Sequence, residues 1–117
     1  MLRGIVTEIV DADTLDVNNV RIRLSLVNTP ERGEDGYTGA KEFTESKCPV
    51  GSEALVDEDD GQKEGSFERV IGLVYCGGNK KVLLNEHLLQ EGHAQIFGDF
   101  CARSEFSGED WVQKFGC

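Results

Sequence analysis

Thr14-Leu15-Asp16-Val17-Asn18-Asn19-Val20-Arg21-Ile22-Arg23-Leu24-Ser25-Leu26-Val27-Asn28-Thr29-Pro30-Glu31 is the stretch on which the fold turns. Two β-rich runs, Thr14 to Val17 and Val20 to Val27, flank Asn18-Asn19. Asn tolerates positive φ, so the pair predicts a tight hairpin turn. A two-residue turn sets Val17 opposite Val20 and therefore Thr14 opposite Arg23, which brings Asp13 close to Arg23 across the pair. Alternation puts Ile22, Leu24 and Leu26 on one face and Arg21, Arg23 and Ser25 on the other. Pro30 lacks an N–H and ends the ladder, so Asn28 to Glu31 leave the sheet at its rim.

Working outward, Leu2 to Val10 predicts a preceding strand carrying Ile5, Val6, Ile9 and Val10. Beyond Glu31, a charged, Gly-bearing loop leads to a helix over Gly39 to Ser46, with Ala40, Phe43 and Lys47 on one stripe. Pro49-Val50-Gly51 breaks it. Ser52 to Asp57 and Phe67 to Cys76 predict two more strands around an acidic loop. Val82 to Glu91 predicts a helix that buries Leu83, Leu84, Leu88 and Leu89 and stops at Gly92. Ser107 with Asp110 resembles an N-cap signal for a last helix ending at Phe115. Trp111 and Phe115, four apart on it, are core contacts. The fold class that follows is α+β, mainly β. It is a five-stranded Greek-key barrel of OB type with about three flanking helices, in one domain over residues 1–117.

The hydrophobic share of 38% and charged share of 29% place the chain among soluble globular proteins, and no apolar run is long enough to span a membrane. No signal peptide is visible at Met1-Leu2-Arg3-Gly4. The net charge of -10 argues against a passive nucleic-acid binder, which carries a basic footprint. It leaves room for an enzyme that meets an anionic substrate through a cation and a few arginines. The four cysteines, at 48, 76, 101 and 117, have no Cys-x-x-Cys spacing, which disfavours a zinc site. Disulfides in an oxidising compartment and four buried thiols both fit that count.

The chemistry-bearing residues are Asp11 and Asp13, then Arg23, Glu31 and Arg69, each near a strand end. Carboxylates hold a hard cation through oxygen, and guanidiniums clamp a phosphate in two-pronged fashion. A phosphodiester-cleaving site needs that mixture. Plainer roles exist for each. Asp13 suits a turn cap, Arg23 a strand-surface pair with Asp13, and Arg69 a pair with Glu64 or Glu68. Surface pairs contribute only about 0–1 kcal/mol, so stability alone is a poor reason for the clustering. His87 and His93 are spaced unlike a metal pair and are expected to be structural.

These motifs resemble the staphylococcal nuclease-like (thermonuclease) family. The likeness runs from about Gly4 to about Phe100. It rests on Asp11-Ala12-Asp13-Thr14, Arg23 to Glu31, Gly61-Gln62, Arg69 with Gly72-Leu73-Val74-Tyr75, and Leu84 to Ala94, in that order. The resemblance implies an OB barrel and calcium-dependent cleavage of DNA and RNA phosphodiesters. By position it makes Asp13 a calcium ligand, with Asn28 in a second ligand position where the family's nuclease has an aspartate. Thr29 offers its backbone carbonyl. Glu31 activates or orients the attacking water, and Arg23 and Arg69 bind the scissile phosphate. Phe67 replaces one nucleotide-holding tyrosine, Gly98 the other, and Phe100 supplies a further aromatic. In the resembling fold Cys48 ends the first helix and Cys76 the fifth strand, which implies the pairings Cys48–Cys76 and Cys101–Cys117.

Together these imply a calcium-dependent endonuclease, monomeric and away from membranes. Its expected partner is a nucleic-acid substrate, and its expected location is extracellular or at the cell surface. The alternative is a non-catalytic OB module that binds single-stranded nucleic acid or a protein, since OB barrels host many functions.

Overall fold

The computed structural model describes residues 2–62, 70–77 and 82–117. Strands β1 (Leu2–Asp11), β2 (Thr14–Val17) and β3 (Val20–Leu24) open the chain. The β2–β3 register pairs Val17 with Val20 and Thr14 with Arg23, as the two-residue turn requires. Asn18 and Asn19 take φ of 52° and 64°. Two consecutive positive φ values suit the right-handed twist of the strands they join.

The run from Val20 to Val27 is not one strand. It breaks after Leu24, turns through Ser25 and Leu26, and resumes as β4 (Val27–Asn28). The Ser25 N–H has left the β2 ladder and donates to the Gly72 carbonyl at 2.8 Å. Ile22, Leu24 and Leu26 are nonetheless all buried, so the alternation held while the backbone bent. Ser25 is buried too, rather than facing outward with Arg21.

After α1 (Tyr37–Lys47) come β5 (Glu53–Glu58) and β6 (Val70–Cys76). β5 pairs antiparallel with both β1 and β6, and β6 pairs parallel with β3 through Ile22–Val70 and Leu24–Gly72. That last pairing closes a five-stranded barrel and removes its open edges. Gly72 is needed at the closure, because a Cβ there would stand 2.6 Å from the Asp57 carbonyl oxygen. Leu15, Ile22, Leu24, Leu73 and Val74 are fully buried in the core. Truncating such a leucine to alanine typically costs about 2–5 kcal/mol.

The remaining elements pack around the barrel. β7 (Val82–Leu83) pairs with Tyr75 and Cys76, so α2 (Leu84–Gln90) starts at Leu84 rather than Val82. β8 (Gln95–Ile96) pairs with β4. The last helix, α3 (Asp110–Phe115), starts after Glu109, not at Ser107. The Ser107 hydroxyl donates to the Cys101 carbonyl instead of capping the helix. Trp111 is buried, and Phe115 packs against the core. Both implied disulfides are present: Cys48–Cys76 ties the end of α1 to the end of β6, and Cys101–Cys117 closes the carboxy-terminal segment. No helix among the described residues is long and apolar enough to cross a membrane.

Candidate active site

Asp13 sits in the tight connection between β1 and β2, and its carbonyl accepts the Leu24 N–H at 2.9 Å. The hairpin register therefore delivers its carboxylate to the barrel rim. Oδ1 accepts from the Thr14 hydroxyl at 3.0 Å, and Oδ2 accepts from the Thr29 N–H at 3.3 Å. Oδ2 also lies 3.4 Å from Nη2 of Arg23. Asp13, Arg23 and Thr29 thus meet at one point, though they come from β1–β2, β3 and the segment after β4.

The Arg23 guanidinium is held on several sides. Nη1 donates to the carbonyls of Leu24 and Val27, each at 2.8 Å. Its Cζ lies 6.0 Å from the ring centroid of Phe97, within range of a cation–π attraction. Arg21, two residues earlier on the same strand, is committed elsewhere. Its Nε donates to Asp16 at 2.6 Å, and that hydrogen bond and the Asp16 charge raise its pKa further.

A cleft of about 530 Å³ opens over this point. Asp11, Asp13, Arg23, Asn28, Thr29 and Glu31 line it, and Phe97 forms part of its wall. The Asp11 carboxylate accepts from the Tyr37 hydroxyl at 2.6 Å, which anchors it to the start of α1. Glu31 is exposed on the rim. Its N–H donates to Oε1 of Glu34 at 2.6 Å and its carbonyl accepts the Glu34 N–H at 2.9 Å, so the turn that carries it closes on itself. Asn28 is exposed opposite Gln95 on the β4–β8 pair. A second hollow of about 450 Å³ shares Asn28, Thr29 and Pro30 and reaches His93. His93 stacks on Phe43 with centroids 4.8 Å apart, a packing role as expected.

The cleft is lined by oxygen-bearing groups: the carboxylates of Asp11, Asp13 and Glu31, the Asn28 amide and Thr29. That set suits a hard cation such as calcium rather than zinc or copper. Among the described residues no three His, Cys, Asp or Glu side chains converge as a metal-holding group.

The cleft gathers six of the residues singled out from sequence: Asp11, Asp13, Arg23, Asn28, Thr29 and Glu31. Phe67 and Arg69 lie outside the described residues. Phe100 meets Phe97 edge-on, with centroids 4.8 Å apart, and the Arg103 guanidinium carbon lies 5.8 Å from the Phe100 ring centroid. Among the described residues the aromatic on the cleft wall is Phe97, which the sequence reading passed over. Its signal was positional: it directly follows β8, the strand that pairs with Asn28.

The barrel has OB topology. Residues 21–110 match the family model described as staphylococcal nuclease homologue, and the chain belongs to that family. The comparison with curated proteins gives no match.

Proposed function

We propose that this protein is a calcium-dependent nuclease that hydrolyses phosphodiester bonds of DNA, RNA or both. The observation that carries the proposal is the convergence of Asp13, Arg23 and Thr29 in one cleft, with Glu31 on its rim. Asp13, the Asn28 amide and the Thr29 carbonyl would hold the cation. Bound there, it supplies positive charge to a non-bridging phosphate oxygen. Arg23 donates to the phosphate from a guanidinium already fixed in place, so little reorganisation is needed as charge builds on phosphorus. Arg69 is assigned the second guanidinium role by its motif. Glu31 accepts a proton from water and orients it for in-line attack. Phe97 gives a base an aromatic face, with Phe100 packed edge-on against it, which makes base selection tolerant of sequence. Phe67 is a further candidate for that role.

Two disulfides suit an oxidising compartment, which supports an extracellular or cell-surface location. We take the acting form to be a monomer. The test is cleavage of single-stranded DNA and of RNA by the disulfide-intact protein, with calcium and with chelator. Calcium-dependent cleavage supports the nuclease reading. Binding of either strand without cleavage would favour the non-catalytic OB module.

A further inference from the structure

The corner between β3 and β4 carries an observation that the proposed chemistry leaves unused. Leu26 has φ of 66°, a left-handed conformation that branched side chains rarely adopt. Backbone of this kind persists only where the surroundings over-determine it. Here it turns the Leu24 and Val27 carbonyls toward one point, where both accept from Nη1 of Arg23. The Leu26 carbonyl itself accepts the Phe97 N–H at 2.7 Å. The corner therefore shapes both the guanidinium's seat and the aromatic wall beside it.

Ser25 holds that corner. Its N–H donates to the Gly72 carbonyl, and its carbonyl accepts from Nδ2 of Asn85 at 3.0 Å. Its hydroxyl donates to Oδ2 of Asp59 at 2.7 Å. Ser25 and Asp59 are each 0% exposed. The Asp59 carboxylate also accepts from the Ser104 hydroxyl at 2.5 Å and from the N–H groups of Gly61 and Glu105, each at 3.0 Å. A buried carboxylate is costly unless its hydrogen bonds are satisfied, and these four donors, among the described residues, help to fix its place.

We propose that Ser25, fixed by the buried carboxylate of Asp59, is a positioning residue for Arg23. It keeps the Leu24 and Val27 carbonyls converged and so sets the plane of the guanidinium in the cleft. The proposal rests on the nuclease reading for its kinetic consequence but not for its structural one. Misplacing a catalytic group by about an ångström costs roughly a hundredfold in rate.

Two variants of the full, disulfide-intact chain separate positioning from simple stability. Ser25→Ala and Ser104→Ala each remove one hydroxyl from Oδ2 of Asp59; the Ser104 hydroxyl also lies 3.5 Å from that of Ser25 and accepts the Phe106 N–H, but only Ser25 is part of the β3–β4 corner. Both are compared with wild type below their melting midpoints. The measurements are kcat and KM on single-stranded DNA with calcium, and side-chain nitrogen NMR of the Arg23 Nη groups. Wild type and Ser104→Ala should show Arg23 Nη–H signals of hindered rotation. Ser25→Ala should lose them, with kcat down roughly ten- to hundredfold and KM little changed. Should Ser25→Ala not fold, Asp59→Asn, equal in shape but neutral, weakens the same bond and is read the same way. The proposal is overturned if Ser25→Ala keeps the Arg23 signals, or if Ser104→Ala loses them equally. A wild type that cleaves nothing would sink the nuclease reading alone, because the NMR contrast still decides the positioning role.

Discussion

Oδ2 of Asp13 faces Nη2 of Arg23 at 3.4 Å across the β2–β3 hairpin. The pair joins the proposed cation side of the cleft to its phosphate side. Each partner has further ties: Asp13 accepts from Thr14 and Thr29, and Arg23 donates to two carbonyls. Both groups are mostly buried, so their mutual attraction is less screened than at the surface.

Asn28 is the weak point of the proposed cation site. An amide oxygen ligates calcium without a full charge, and affinity rises with the charge count of the ligands. Asn28→Asp should tighten calcium binding in calorimetry and lower the calcium needed for half-maximal cleavage. In chelator the same variant should melt earlier. It adds a carboxylate to a wall that already holds Asp11, Asp13 and Glu31, a repulsion of up to about 1 kcal/mol at an exposed position. Equal calcium affinity in the two forms would remove Asn28 from the ligand set.

Phe97 and Phe100 should separate in a binding experiment. Phe97→Ala removes the cleft-side ring and should weaken binding of a single-stranded oligonucleotide by about 1–3 kcal/mol, the usual contribution of one base stacked on an aromatic. Phe100→Ala should cost less, since Phe97 lines the cleft and Phe100 reaches it through an edge-on contact with Phe97. Oligonucleotide titrations of both variants decide the order. A larger loss for Phe100→Ala would reverse the assignment.

The two disulfides differ in access. Cys48 and Cys76 are each 0% exposed, whereas Cys101 and Cys117 are half-buried. Mild reductant followed by alkylation should therefore label Cys101 and Cys117 first, as peptide mass mapping would show. Opening that bridge frees a loop with a sequence separation of 16 and should cost about 3 kcal/mol of stability. Labelling of all four cysteines without reductant would mean that neither bridge forms in solution.

Local chemistry made the hairpin legible. Asn18-Asn19 supplies two positive φ values, and the Val17–Val20 pairing then sets Asp13 beside Arg23 without further information. The bend at Ser25 was hidden because Ile22, Leu24 and Leu26 are buried whether the strand continues or turns. The bend comes from distant partners, Gly72 and Asn85, that no local pattern announces. Val82 and Leu83 likewise fit a helical stripe but are claimed by pairing with Tyr75 and Cys76. Ser107 has the chemistry of a helix cap, yet the Cys101 carbonyl takes its hydroxyl. Phe97 escaped notice because an aromatic beside a short rim strand looks the same in sequence whether it faces the core or the cleft.

Arg23→Lys tests the central claim most directly. Lysine lacks the planar fork, so it cannot hold the two carbonyls with one nitrogen and present another to a phosphate. The structure adds that the Leu24 and Val27 carbonyls would lose their shared donor, so the unfolding free energy should fall by about 1–3 kcal/mol as well. The measurement is the cleavage rate of single-stranded DNA at saturating calcium, taken where both proteins are folded. The account predicts a loss worth roughly 2.7–4 kcal/mol of transition-state stabilisation, about a hundred- to thousandfold. A folded Arg23→Lys protein that cleaves at the wild-type rate would contradict the assignment of Arg23 to the phosphate.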